Sequence, residues 1–230
     1  MVTTRAGTKT LVANGATGGR SPWIHVPSRM LLLWFAISLP LVTWDTIYVL
    51  GRPWTMEGGA WHWPMYVPYK LYGEVDHVYG WKAFNAKVGF TGAQGALNAI
   101  ETAMYLVYVY IYWTSAVPAA SVAGGSAKVG AAAQADKTAV LVGKPAAVAV
   151  LVAFSAFVMT LSKTILYWLC EYFSGYDNIG HNALRDLIVL WIIPNGAWLV
   201  APTYLIYVLG QEIVEGLTMA SAEALPIKSD

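Results

Sequence analysis

The chain has 230 residues, 57% hydrophobic and 12% charged, with a formal net charge of +1. A soluble globular chain carries roughly 25% charged residues, so the composition argues against an ordinary soluble domain, and the near-neutral charge argues against an electrostatic nucleic-acid binder. The single cysteine, Cys170, excludes an internal disulfide and speaks against a cysteine metal centre; there is no CxxC, HExxH, P-loop or GxGxxG motif.

Residues 1–29 are small and polar, with Arg5, Lys9, Arg20 and Arg29 and no Asp or Glu. They have no apolar core near the start, so they read as a disordered cytosolic tail and not as a cleavable signal. The first span is predicted over about residues 30–50 (LLLWFAISLPLVTWDTIYVL), close to the ~20 residues needed to cross a bilayer. Pro40 predicts a kink that membrane helices tolerate, and Asp45 lies in the second half. Residues 52–93 are rich in Gly, Pro and Trp. That stretch is too long and too aromatic for a plain linker, and predicts a cap at the membrane interface.

The second span, about residues 96–117, carries a polar stripe of Gln94, Asn98, Glu101, Thr102, Tyr105, Tyr108 and Tyr112. Apart from the Glu101–Thr102 neighbours the steps are three or four residues, so the stripe occupies one helix face. A carboxyl inside a span costs a few kcal/mol or more, and the stripe is therefore expected to face protein or a cavity. Residues 118–143 form an Ala/Gly/Ser-rich connector with Lys128 and Lys137, predicted to be flexible. The third span, about 145–172, opens on Pro145, a good first-turn residue. Thr160, Lys163, Thr164, Tyr167 and Glu171 share roughly one of its faces. A polar loop with Asp177, His181 and Arg185 leads to the fourth span, about 187–209, which holds Asn195 and Trp198 beside Pro194 and Pro202. Residues 211–230 form a short tail of mixed charge.

The expected fold is thus all-α: an integral membrane four-helix bundle, with an interfacial aromatic cap between spans one and two. Four spans place both termini on one side. That side holds eight Lys/Arg against five on the other, a bias toward cytosolic termini.

Depth arithmetic gathers the polar residues. Asp45 lies about five residues before span one exits, and Glu101 about five after span two enters on the same side. At about 1.5 Å per residue they reach similar depth. Span three runs parallel to span one and brings Lys163 to that level, and Asn195 and Trp198 approach it in span four. The expectation is a polar pocket in the half of the membrane opposite the termini. The plainer reading is a polar network that only pins the helices, with an Asp45–Lys163 pair neutralising itself.

Ile100–Glu101–Thr102, the run Leu166 to Glu171, Gly180–His181, and the run Asn195 to Pro202 together resemble the EXPERA-domain family in order and spacing, over roughly residues 30–210. That family includes sterol isomerases of the emopamil-binding protein kind and the sigma-2 receptor. WDTIYVLGRP and YGEVDHVYGW are similar to its fungal members. The resemblance implies that Glu101 is a catalytic carboxylate and that Asn195 and Trp198 are pocket residues. It also implies a second acidic group, best met by Asp45, and residence in the endoplasmic reticulum. The family's histidine four residues before that group falls on an apolar residue near Leu41 or Val42. Lys163 stands near a position that the isomerases make acidic. His77, in the cap, is the candidate to reach down in place of the missing histidine.

The chemistry expected is proton-in, proton-out on a hydrophobic sterol-, terpenoid- or polyketide-like substrate, as an isomerase or cyclase without cofactor or metal. A buried carboxylic acid that keeps its proton protonates an alkene or opens an epoxide, and aromatic faces such as Trp198 stabilise the resulting carbocation. Glu101 and Asp45 are expected to share the acid and base roles. Asn195, Thr102 and Tyr105 would orient them, and Asn98, Lys163, Tyr167 and His77 would contact substrate. The alternative is a non-enzymatic sterol or lipid binder. The lipid bilayer is the expected partner, nucleic acid is not, and a homodimer is left open.

Overall fold

The computed structural model describes residues 23–122 and 139–224. It is mostly helical, and three helices are long and apolar enough to cross a membrane: Arg29–Leu50, Gly143–Phe173 and Leu184–Ala222. A fourth long helix packs among them.

Helix α1 (Arg29–Leu50) starts where the Ser28 side chain accepts from the Leu31 N–H at 3.1 Å, and ends at Gly51. This is an N-cap that satisfies a free first-turn donor. Two short helices follow, α2 (Pro68–Val75) and α3 (Trp81–Asn85), and then the long α4 (Phe90–Ser115). Gln94, Asn98, Glu101 and the tyrosines make α4 less apolar than the other long helices. Helix α5 (Gly143–Phe173) closes with Gly175 at φ +68°, where Gly175 N–H donates to Tyr172 and Tyr176 N–H to Glu171. Glycine suits this left-handed position without a Cβ clash. The last helix begins with a turn at Leu184–Asp186, passes through a π-helical segment Leu187–Ile192, and continues as α6 (Ile193–Ala224).

Helix α4 packs on α1 and α5, and α5 on α6, whereas α1 and α6 touch sparingly, with Trp34 and Trp198 edge to face at 5.2 Å. Ala146, Ala149, Ala153 and Ala156 make a fully buried small-residue stripe on α5. Such a stripe lets neighbouring backbones approach closely. Phe35, Tyr105, Tyr108 and Phe157 fill the centre with rings 5.0–6.0 Å apart.

Three short strands close the end of the molecule that carries the first and last described residues. They are β1 (Ile24–His25), β2 (Val117–Pro118) and β3 (Ala139–Val142), in the order β1-β3-β2 and both pairs antiparallel. Ile24 faces Val142, and Val117 faces Val140. This corrects the sequence reading in three places. Residues 23–28, assigned to the tail by composition, belong to the folded body: Ile24 and His25 are buried. The connector is built at both edges, with Lys128 and Lys137 lying outside the described residues. The final helix runs through the expected tail to Ala224, with Trp23 packed on Gly216 and its indole donating to the Glu212 carbonyl at 3.2 Å.

At the opposite end, residues 51–89 fold over the helices. Tyr48 and Tyr69 stack at 3.7 Å, Tyr48 hydroxyl donates to the Tyr79 carbonyl, and Thr91 donates to the Val78 carbonyl at 2.8 Å. The turn after α5 holds the outer edge of this roof: Asn182 donates to the Val75 carbonyl and Lys82 pairs with Asp177, at 2.7 and 2.8 Å.

Candidate functional site

Beneath the roof lies a cavity of about 480 Å³, within the size range of small-molecule sites. Asp45 from α1, Asn98 from α4, Lys163 and Tyr167 from α5, and Asn195 and Trp198 from α6 all line it, and Tyr69, Tyr72 and Tyr79 contribute from above. Much of the remaining wall is apolar, including Leu41, Val42, Phe90 and Leu190.

A chain of polar contacts runs inward from this wall. Tyr69 hydroxyl donates to Asp45 Oδ1 at 2.8 Å, and Asn98 Nδ2 donates to Asp45 Oδ2 at 3.1 Å. The Asn98 carbonyl oxygen accepts from Lys163 Nζ, and Lys163 pairs with Glu101 at 2.8 Å. Thr160 donates to Glu101 Oε2 at 3.0 Å, and Tyr105 hydroxyl reaches Thr160 at 2.9 Å. Asn98 is the hinge of the arrangement, since its amide uses one end for a carboxylate and the other for an ammonium. Two carboxyls meet one ammonium here. With both carboxyls ionised the chain carries an excess negative charge, which one proton or a bound cation balances.

The structure therefore separates the expected catalytic pair. Asp45 stands on the cavity wall. Glu101 lies one layer deeper, 2% exposed, behind Lys163. Tyr105 reaches Glu101 only through Thr160, and the Thr102 hydroxyl is buried away from the cavity. His77 does not take the place of the missing histidine. It lies outside the cavity, stacked on His181 with ring centroids 4.0 Å apart. The reason is local: its backbone N–H is held by the Asn178 carbonyl, which turns it to the outer edge of the roof.

One buried group was missed. Asp76 is fully buried, and its carboxylate accepts from Trp191 Nε1 at 2.8 Å, from the Val78 N–H at 3.1 Å and from the Tyr167 hydroxyl. It ties the roof to α5 and to the π-helical segment, fixing Tyr167 on the cavity wall. Trp191 in turn accepts from Asn195 Nδ2 at 2.9 Å through its carbonyl. Burial pushes the Asp76 carboxyl up to about 7, against the pull of the Trp191 and Val78 hydrogen bonds. In sequence Asp76 stands between Val75 and His77 in an aromatic loop, and only its apolar neighbours hinted at burial. Among the described residues, no group of three or more His, Cys, Asp or Glu is placed to hold a metal ion.

No family model, curated protein or solved structure matches the chain. The fold and its three long apolar helices are consistent with an integral membrane protein.

Proposed function

We propose that the protein is a membrane-embedded, cofactor-independent acid–base isomerase or cyclase acting on a hydrophobic sterol-, terpenoid- or polyketide-like substrate. In this reading α4 crosses the bilayer with the other three long helices as a four-helix bundle. Residues 51–89 form an interfacial cap, with exposed Trp54, Trp61 and Trp63 in the headgroup layer. The termini are cytosolic and the membrane is that of the endoplasmic reticulum.

The observation that carries the reading is Asp45. It is a carboxylate on the wall of a largely apolar cavity, fixed by two hydrogen bonds and backed by the Asn98–Lys163–Glu101 chain. A fixed base in a largely apolar site is what intramolecular proton transfer needs. Asp45 exchanges protons with substrate. Glu101 acts through Lys163 and is a positioning residue. The alternative reading, a non-enzymatic sterol or lipid binder, uses the same cavity with Asp45 as an anchor.

The test is to express the parent, Asp45→Asn and Glu101→Gln in a sterol- and terpenoid-producing host and to profile apolar metabolites by mass spectrometry. A new product is expected with the parent, with a loss of roughly 1,000-fold in Asp45→Asn and a smaller loss in Glu101→Gln at equal abundance. A parent profile identical to that of the empty host, when neighbouring pathway intermediates are also supplied, would favour the binder.

A further inference from the structure

Asp45 accepts a hydrogen bond on each carboxylate oxygen. Two donors hold the carboxylate in place, and each oxygen keeps a second lone pair that can accept a proton. A carboxylate removes a proton from carbon only where the electron pair left behind is delocalised, because an isolated hydrocarbon C–H is far too weak an acid. A neighbouring carbonyl provides that delocalisation, and its oxygen then requires hydrogen-bond donors.

Tyr72 and Lys163 are two of the donors on the cavity wall with protons to spare. Tyr72 hydroxyl accepts from Asn195 Nδ2 at 3.5 Å, and among the described residues no acceptor takes its own proton. Burial, and then the charge of Asp76, push the Tyr72 phenol upward, so it remains a donor. Lys163 donates to the Asn98 side-chain carbonyl and stands 2.8 Å from Glu101 Oε1, and among the described residues no further acceptor takes an ammonium proton.

We propose that the substrate is a hydrophobic carbonyl compound whose double bond this site moves through an enol, with Asp45 as base and Tyr72 as the principal donor to the carbonyl oxygen. Asp45 takes a proton from the carbon between the carbonyl and an isolated double bond. The C–H electron pair becomes a new C=C bond, while the C=O π pair moves onto oxygen under the Tyr72 hydroxyl. The carbonyl then re-forms, the remaining double bond shifts into conjugation, and Asp45 returns the proton to the far carbon. One proton leaves carbon and one returns, so no oxidant or co-reactant is consumed. This deepens the acid–base reading of the same cavity and rests on it.

The experiment uses the full chain in membranes from the expressing host, with membranes lacking it as control. The probes are the unconjugated isomer of androstenedione, followed by the absorbance of the conjugated ketone, and geranylacetone in heavy water, followed by α-deuterium uptake. An unsaturated steroid alcohol of the same ring system is the carbonyl-free control. The parent is expected to act on at least one ketone and to leave the alcohol unchanged. Tyr72→Phe, which keeps the ring and is expected to melt like the parent, should lose roughly 100-fold, and Asp45→Asn roughly 1,000-fold. The proposal is overturned if neither ketone is turned over or exchanged above control, or if Tyr72→Phe matches the parent. An Asp45-dependent shift in the carbonyl-free alcohol would overturn the enol route and leave the acid–base reading standing. Failure of the metabolite test would remove that reading itself.

Discussion

Helix α4 carries a cluster of titratable groups toward each end, and the two make an instructive pair. Near its start, Asn98 and Glu101 join Asp45 and Lys163 beside the cavity. Near its end, Tyr108 hydroxyl meets His25 Nε2 at 2.7 Å, and His25 Nδ1 meets Glu212 at 2.6 Å. Both clusters are buried, closely hydrogen-bonded and made of residues able to do chemistry. They differ in free space. The first opens on about 480 Å³ lined by polar and apolar groups. The second is sealed by the strands, with His25 and Tyr108 each 1% exposed. Proximity and hydrogen bonding alone are shared by structural and functional clusters. Room for a ligand beside the reactive group separates them.

The comparison is sharpened most by removing the single cation of the cavity cluster. Lys163→Met leaves Glu101 buried without its counter-charge, and loss of one partner of a buried pair costs about 3–5 kcal/mol. A large drop in melting temperature in detergent is expected, with most of it recovered in Lys163→Met/Glu101→Gln. If the double variant melts as low as the single one, the charge account is wrong.

A smaller effect is expected at the sealed end. His25→Leu orphans Glu212 and Tyr108 and should cost about 1–3 kcal/mol, while the products formed at the cavity stay the same. A changed product profile with unchanged melting would break the division between a structural and a functional cluster.

The smallest effect lies at the roof's outer edge. Burial, then the neighbouring His181 and Lys82, hold His77 below its ordinary value, with nearby Asp177 acting the other way. A histidine lowered by folding contributes stability above its unfolded value and loses it as pH falls through the folded one. Amide exchange around residues 77–80, taken relative to the intrinsic rate at each pH, is therefore expected to rise on acidification. His77→Gln should flatten that rise, and an equal rise in the variant would assign it elsewhere.

The helical framework was legible because its signals are local and redundant. Long apolar runs marked three helices, and the three-and-four spacing of Asn98, Glu101, Tyr105 and Tyr108 marked the inner face of the fourth. Counting residues from the span ends brought Asp45, Lys163, Asn195 and Trp198 to one level, and the structure places all four on the cavity wall. Depth along a helix says nothing about rotation around it, however. That is why Glu101 was grouped with Asp45 although it points behind Lys163. His25 and Asp76 were illegible for a different reason. Each is buried by partners far along the chain, Glu212 for one and Tyr167 with Trp191 for the other. The flanking residues carry no trace of those partners.

The strand order has a consequence for how the molecule is made. Among the described residues, Ile24 and His25 pair with Val142 and Leu141, and both α1 and α4 intervene. During synthesis the leading strand has no edge to join until the chain beyond α4 has emerged, and Glu212, which holds His25 from the side, arrives later still. The closing of that end is thus a late step, one that registers that every long helix is in place. A chain interrupted before residue 139 would keep its first strand unpaired however well its early helices had inserted.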